Sequence, residues 1–371
     1  MTSRRLVLVG AGHAHLQLVR EAGRLHAAGL EVTLIAPPRF QYSGLASGIL
    51  SGALAEEAGE IDVAALAAGV GLRHLTEPVN AIDRTARSLV LAGGASEPFD
   101  LLSLNIGSVA ADPYDLAAQT GVWPVKPLVN LFALRTSVET VITRGGATPR
   151  IVVAGGGLSA LELAASLCGL LERLGVRPEV TVVAPVHGAA LPPAARARLL
   201  SRLAARGVAF RCGTVVGRES QACRLADGAI LPCDSLLLAI GLAAPPLIAD
   251  LGLPVDDDGR LRVTPTLQSV GDSTIFAAGD CAVIDDHPRP AAGVFGVRAA
   301  PVLLDNLVAR GCGQPLRAYL PQKRWLAIMD LGDGRGVATR GGLWAYGRMA
   351  LWLKRHLDLG FVRRMRAASK P

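Results

Sequence analysis

Cysteine is scarce and late in this chain. None of the six precedes Cys168, and Cys168, Cys212, Cys223, Cys233, Cys281 and Cys312 show neither CxxC nor paired metal-ligand spacing. This excludes a zinc site or dithiol motif readable from spacing, and the six read mostly as small buried residues in a reducing compartment. An uninterrupted apolar run of roughly 18 residues is also missing, which excludes a spanning helix. The most apolar stretch, residues 235–249, is broken by Gly241 and Pro245-Pro246. Residues 1–5 lead into a strand with no apolar leader, so a cytoplasmic location is expected. Aromatics make up only 4% of a chain that is 50% hydrophobic. Its cores must therefore be built from Ala, Leu and Val.

Excess charge is missing from the body of the chain. Eight bases (Arg340, Arg348, Lys354, Arg355, Arg363, Arg364, Arg366 and Lys370) follow position 339, against one acid, Asp358. Removing them from totals of 38 and 31 leaves 30 of each sign. A neutral body carries no nucleic-acid footprint. The net charge of +7 belongs to the tail.

What is present is a strand, glycine turn and helix pattern that occurs twice. Residues 6–9 run into Gly10, Gly12, His13 and His15, and residues 151–154 run into Gly155, Gly157 and Ala160. In such a motif the first glycine makes the tight turn and the second lets backbone approach a pyrophosphate. The helix N-terminus then offers N–H groups and a positive dipole end to that anion. Two matches in strand–helix context predict two dinucleotides on one chain, an electron-transfer layout. Residues 99–107 and 234–241, each a buried apolar strand ending in glycine, repeat one another almost residue for residue. Internal duplication is the simplest account. The expected fold is α/β, with two Rossmann-like dinucleotide-binding units. Residues 122–127 read as a crossover linker, and residues 275–282 as a strand ending in Gly279-Asp280, whose carboxylate suits ribityl hydroxyls.

These motifs, in this order, resemble the two-dinucleotide flavoproteins of the pyridine nucleotide-disulfide oxidoreductase superfamily. Within it the chain is similar to flavoproteins associated with selenophosphate synthase, a branch related to type II NADH:quinone oxidoreductases. Gly10 to His15, Tyr42-Ser-Gly44, Ile61-Asp62, Leu104 to Ser108, Pro124 to Pro127 and Tyr346-Gly-Arg348 carry that likeness. The resemblance implies a discontinuous FAD domain (1–125 and 256–320), an inserted NAD(P) domain (126–255) and a C-terminal basic amphipathic segment (321–371). It implies FAD at Gly10, Gly12, His13, His15, Gly107, Gly279 and Asp280, and NAD(P)H at Gly155, Gly157 and Ala160. Glu162 would stand near the nicotinamide, and Lys126 near the reduced flavin. Reduced nicotinamide would pass hydride to FAD.

Departures from the superfamily pattern are informative. Its disulfide reductases place a cysteine pair early in the FAD unit, which this chain lacks, so electrons must pass directly to a quinone or other small acceptor. Ala36 and Ala184 stand where an acid usually takes the adenosine ribose hydroxyls, leaving NADH or NADPH open and naming Arg39 and His187 as alternative contacts. Residues 292–301 contain none of the glutamines found near the quinone in type II enzymes. Two alternatives stay open: a flavin reductase serving selenium or sulfur chemistry with a partner enzyme, and a non-catalytic FAD-binding docking protein. Residues 343–356 have helical spacing with Trp, Leu and Met beside Lys and Arg, which suits a membrane interface.

Overall fold

The computed structural model describes residues 3–368, so Lys370 of the basic tail lies outside the described residues. Both predicted units form around five-stranded parallel sheets. The first runs Ile275–Ala277, Leu101–Leu104, Arg4–Val9, Leu30–Ile35, Arg73–Leu75. Its outer strand comes from far along the chain, so this unit is discontinuous. The second runs Val122–Pro124, Ser235–Leu238, Ile151–Ala154, Val180–Val183, Ala209–Arg211. The central strands Leu101–Leu104, Ile151–Ala154 and Ser235–Leu238 are buried at every position. Helices cover both faces of such sheets, so their strands are apolar throughout rather than alternating.

Each unit carries a small antiparallel three-stranded sheet, at Val79–Asp83, Ser88–Leu91 and Ser96–Pro98 before the strand Leu101–Leu104, and at Val215–Glu219, Ala222–Leu225 and Ile230–Pro232 before Ser235–Leu238. That shared insertion matches the duplication read from the strand endings. Val109–Ala110 pairs with Leu242–Ala243, joining the chain just past the two glycine endings. Two expectations are corrected here. Residues 122–127 are not only a linker, because Val122–Pro124 is an edge strand of the second sheet. The tail is not helical from residue 343. Leu343–Gly347 is a strand paired with Gly336–Arg340, which pairs in turn with Leu326–Asp330. Gly341, at φ +62°, makes the hairpin turn, and Gly347, at φ +134°, ends the strand where few other residues could. Only then does the helix Arg348–Ala367 begin.

That helix buries Phe361, Val362 and Met365 in the main core, while Leu351, also buried, lies on the helix turn that adjoins Gly336 of the hairpin. Phe361 stacks on Tyr42 with ring centroids 5.0 Å apart. Arg366 Nε donates to the Glu60 carbonyl at 3.0 Å. Its other side leaves Met349, Trp352 and Leu357 exposed, beside Leu343 and Trp344 on the strand.

Candidate functional site

The first glycine turn borders a cleft of about 750 Å³, walled by Gly10, Gly12, Ala36, Gln41, Glu77 and Gly107 among others. A Cβ on Gly107 would meet nothing within 4 Å, so this turn faces open space. Gly10 and Gly12 differ. Added Cβ atoms there would lie 2.5 Å from the Asn105 carbonyl oxygen and 2.5 Å from Asn105 Oδ1. Asn105 is 3% exposed, and its Oδ1 accepts from the backbone N–H of Ala14 (3.0 Å) and His15 (3.1 Å). It thereby caps the helix His13–Arg20 from inside the protein. Its Nδ2 donates to the Ala278 carbonyl at 2.5 Å, directly before Gly279. Sequence reasoning quoted Asn105 within a motif but missed this role, because an Asn at a strand end carries no mark of its distant partners.

Of the two histidines, His15 departs from expectation. His15 is fully buried, with Nδ1 2.7 Å from the Gly10 carbonyl and Nε2 2.8 Å from Ser103 Oγ. A carbonyl only accepts, so Nδ1 carries the proton and Nε2 accepts from the serine. With both nitrogens engaged, His15 braces the turn from behind and faces no pyrophosphate. His13 packs edge-on to Phe40 and Tyr42 and against Phe361. Burial pushes both imidazoles down to about 4, so neither titrates near neutrality.

A second cleft, about 490 Å³, lies between the two units and is walled by Ser47, Lys126, Gly157, Glu162, Asp280 and Lys354 among others. It gathers residues from both units and the tail helix. Gly155 and Gly156 have no room for side chains, since a Cβ would strike the carbonyls of Ala239 and Val186. Buried Ala160 packs the helix Leu158–Arg173 onto this turn and also lines the cleft. Gly157 is open to the cleft, and no side chain caps the helix there. The uncapped N-terminus therefore presents its N–H groups to an incoming anion.

Glu162 Oε1 accepts from the Asp330 N–H at 2.8 Å and lies 3.8 Å from Lys354 Nζ. Burial holds its carboxyl above the ordinary glutamate range, although the Lys354 charge opposes this. Lys354 also donates to the Gly44 carbonyl (2.7 Å) and Asp358 Oδ2 (3.1 Å), while Tyr42 Oη donates to Asp358 Oδ1 (3.1 Å). Burial acts to lower Lys354, but Glu162 and Asp358 outweigh it and hold the ammonium above its usual value. Lys126 lines both clefts, and burial draws its ammonium downward against the pull of Asp280. Asp280 Oδ2 accepts from Ser108 Oγ at 3.1 Å. Asp330 and Ser47 escaped sequence reasoning, and Lys354 was read only as a tail charge, because the three come from segments far apart in the chain.

These walls suit a dinucleotide of FAD size. Gln41 lines the first cleft and its buried Oε1 has no protein partner. Gly107 and Gly157 leave free backbone for phosphate or ring to approach, and Lys126 lines both clefts with Asp280 near enough to act on its charge.

Comparison with known proteins agrees. Residues 4–300 match the family model for pyridine nucleotide-disulphide oxidoreductases. An NADH dehydrogenase-like protein of Mycobacterium tuberculosis is 30% identical over 294 residues, covering 73% of this chain and 71% of that protein. The demethylphylloquinone reductase NdbB of a Synechocystis species is 27% identical over 304 residues, 75% of this chain and 72% of that one. The structure of NDH2 from Plasmodium falciparum superposes with a TM-score of 0.82 at 11% identity, covering 99% of this chain and 96% of the other. The chain belongs to the pyridine nucleotide-disulphide oxidoreductase family, as an FAD-binding, NAD(P)H-dependent flavoprotein oxidoreductase.

Proposed function

We propose that this protein carries electrons from NAD(P)H through FAD directly to a quinone or similar small acceptor, with no dithiol relay. The observation that carries the reading is the buried Glu162–Lys354 pair in the cleft between the units. When bound, FAD supplies hydride acceptance from nicotinamide and electron donation to the acceptor. The glycine turns and Asp280 would seat that cofactor, and Gly155, Gly157 and Ala160 the nicotinamide nucleotide. Lys126 places positive charge where the clefts adjoin. Reduction of a quinone consumes protons, and Glu162, whose carboxyl burial holds above the ordinary glutamate range, stands in the cleft where it would pass one. No cysteine lines either cleft, and Cys281 is buried with its thiol turned to backbone carbonyls. A relative named for quinone reduction supports this choice of acceptor.

The exposed face of Leu343, Trp344, Met349, Trp352 and Leu357, set among arginines, would rest in a membrane interface where a quinone is soluble. No helix among the described residues is long and apolar enough to cross a membrane. Anaerobic mixing tests the redox assignment. NAD(P)H should bleach the flavin and a short-chain quinone should restore its colour. Glu162→Gln should slow the second phase about tenfold or more and spare the first. A bleached flavin that no quinone reoxidises would sink this reading.

A further inference from the structure

We propose that the second unit selects the 2′-phosphorylated nucleotide, NADPH, through Arg196, Arg211 and His187. This rests on the reading that the second unit takes the nicotinamide nucleotide. In this fold the adenosine ribose lies at the end of the second strand, where a carboxylate binds its hydroxyls and repels a 2′-phosphate. Here that strand, Val180–Val183, ends at Ala184, buried and uncharged.

The surroundings are basic. The Ala184 N–H donates to the Arg211 carbonyl at 3.1 Å, so Arg211 stands directly beside the strand end. Residues 184–191 then cross the glycine turn, where the Gly188 N–H donates to the Gly156 carbonyl at 2.7 Å, and hold no acid. His187 stands in this crossing, its ring edge-on to Phe210 at 5.2 Å and Nε2 3.3 Å from the Val182 carbonyl. The following helix, Pro193–Ala204, has three arginines and no acid. Arg202 is held by Asp333, and Arg198 lies over the Tyr346 ring. Arg196 makes no ion pair or ring contact among the described residues, and its Cγ lies 3.4 Å from where a Cβ on Gly188 would be. Its guanidinium is left for a ligand.

Arg211 meets Asp227 at 3.1 Å, but the side chains are 48% and 51% exposed. Such a surface pair is weak and gives way to a phosphate dianion, which a guanidinium binds bidentately. The first unit is a useful contrast. Ala36 also lacks the acid, yet Glu77 lines that cleft and Arg39 is tied to Glu60 at 3.0 Å. In the first unit a carboxylate lines the cleft itself, whereas beside the second unit's strand end the named carboxylate, Asp227, is held in a surface pair with Arg211.

Calorimetric titration of the FAD-loaded protein with 2′,5′-ADP and with 5′-AMP reads the preference without turnover. We expect the 2′-phosphorylated ligand to bind at least tenfold tighter. Arg196→Glu and Arg211→Glu should each reduce that ratio at least fivefold, and anaerobic NADPH should bleach the flavin at lower concentration than NADH. Equal binding of the two ligands, with bleaching favoured by NADH, overturns the selectivity alone. Failure of every nucleotide to bind or bleach overturns it together with the reading beneath it.

Discussion

Asn105 satisfies three backbone groups with one side chain, and three glycines make room for it. Gly10 and Gly12 lie against its oxygens, and a Cβ on Gly279 would come within 2.6 Å of its Nδ2. Asn105→Leu would strand two N–H groups and a carbonyl, each costing roughly 1–3 kcal/mol when buried. We expect a large fall in Tm and loss of FAD during purification. Asn105→Asp should be milder, keeping both acceptances and losing the donation to Ala278. A leucine variant with full flavin content would count against this role. His15 adds a pH dependence. Its folded pKa of about 4 lies below the unfolded 6.5, so between these values the unfolded chain binds more protons and stability rises with pH. Acidification from 6.5 to 4 should therefore cost about 3 kcal/mol through His15. His15→Gln should remove the His15 share of this slope and leave that of His13, and an unchanged slope would place the titration elsewhere. The glycines themselves were legible in the sequence, but half of their purpose was not. Sequence spacing names glycines for a cofactor, whereas Gly10 and Gly12 also accommodate Asn105, a neighbour about 95 positions away.

At the scale of elements, the helix Arg348–Ala367 has two working faces. Its inner face places Lys354 in the cleft and Phe361 on Tyr42. Its outer face exposes Met349 (73%) and Trp352 (57%), the latter stacked on His356 at 5.3 Å. Composition revealed the basic, amphipathic character of this region, while the strand ahead of the helix was hidden because Leu343, Trp344 and Tyr346 fit either period. The faces should separate experimentally. Replacing Met349, Trp352 and Leu357 together by serine removes only exposed apolar surface, so Tm should move little. Sedimentation with anionic lipid vesicles should fall at least tenfold, and wild-type binding should weaken as salt is raised. A triple variant that still sediments would remove this face from membrane docking.

The whole molecule is held together by the C-terminal segment, which grips both dinucleotide units. On the second unit, Arg206, 4% exposed in its side chain, pairs with Glu172 at 2.8 Å and also donates to the Leu331 carbonyl. Beside it Gly169 and Gly332 touch backbone to backbone, leaving no room for a Cβ on either. On the first unit, Lys354 reaches Gly44 and Arg366 reaches Glu60. The two units were legible as a duplication, but this clamp was not, because its contacts join positions far apart in the chain through single arginines. Glu162 lies under the clamp and takes its N–H from Asp330, one residue before Leu331. Arg206→Met should leave the Leu331 carbonyl unpaired, costing about 2 kcal/mol, and should loosen the hairpin before either unit melts. Calorimetry should then show a low-temperature shoulder absent from the wild type. Water reaching Glu162 would let its carboxyl fall toward the ordinary glutamate range. A flavin reoxidation rate that needs the protonated acid should then decline at lower pH than in the wild type. An unchanged pH profile beside a clear shoulder would mean that Glu162 is buried by the two units alone, and that the clamp serves stability without reaching the chemistry.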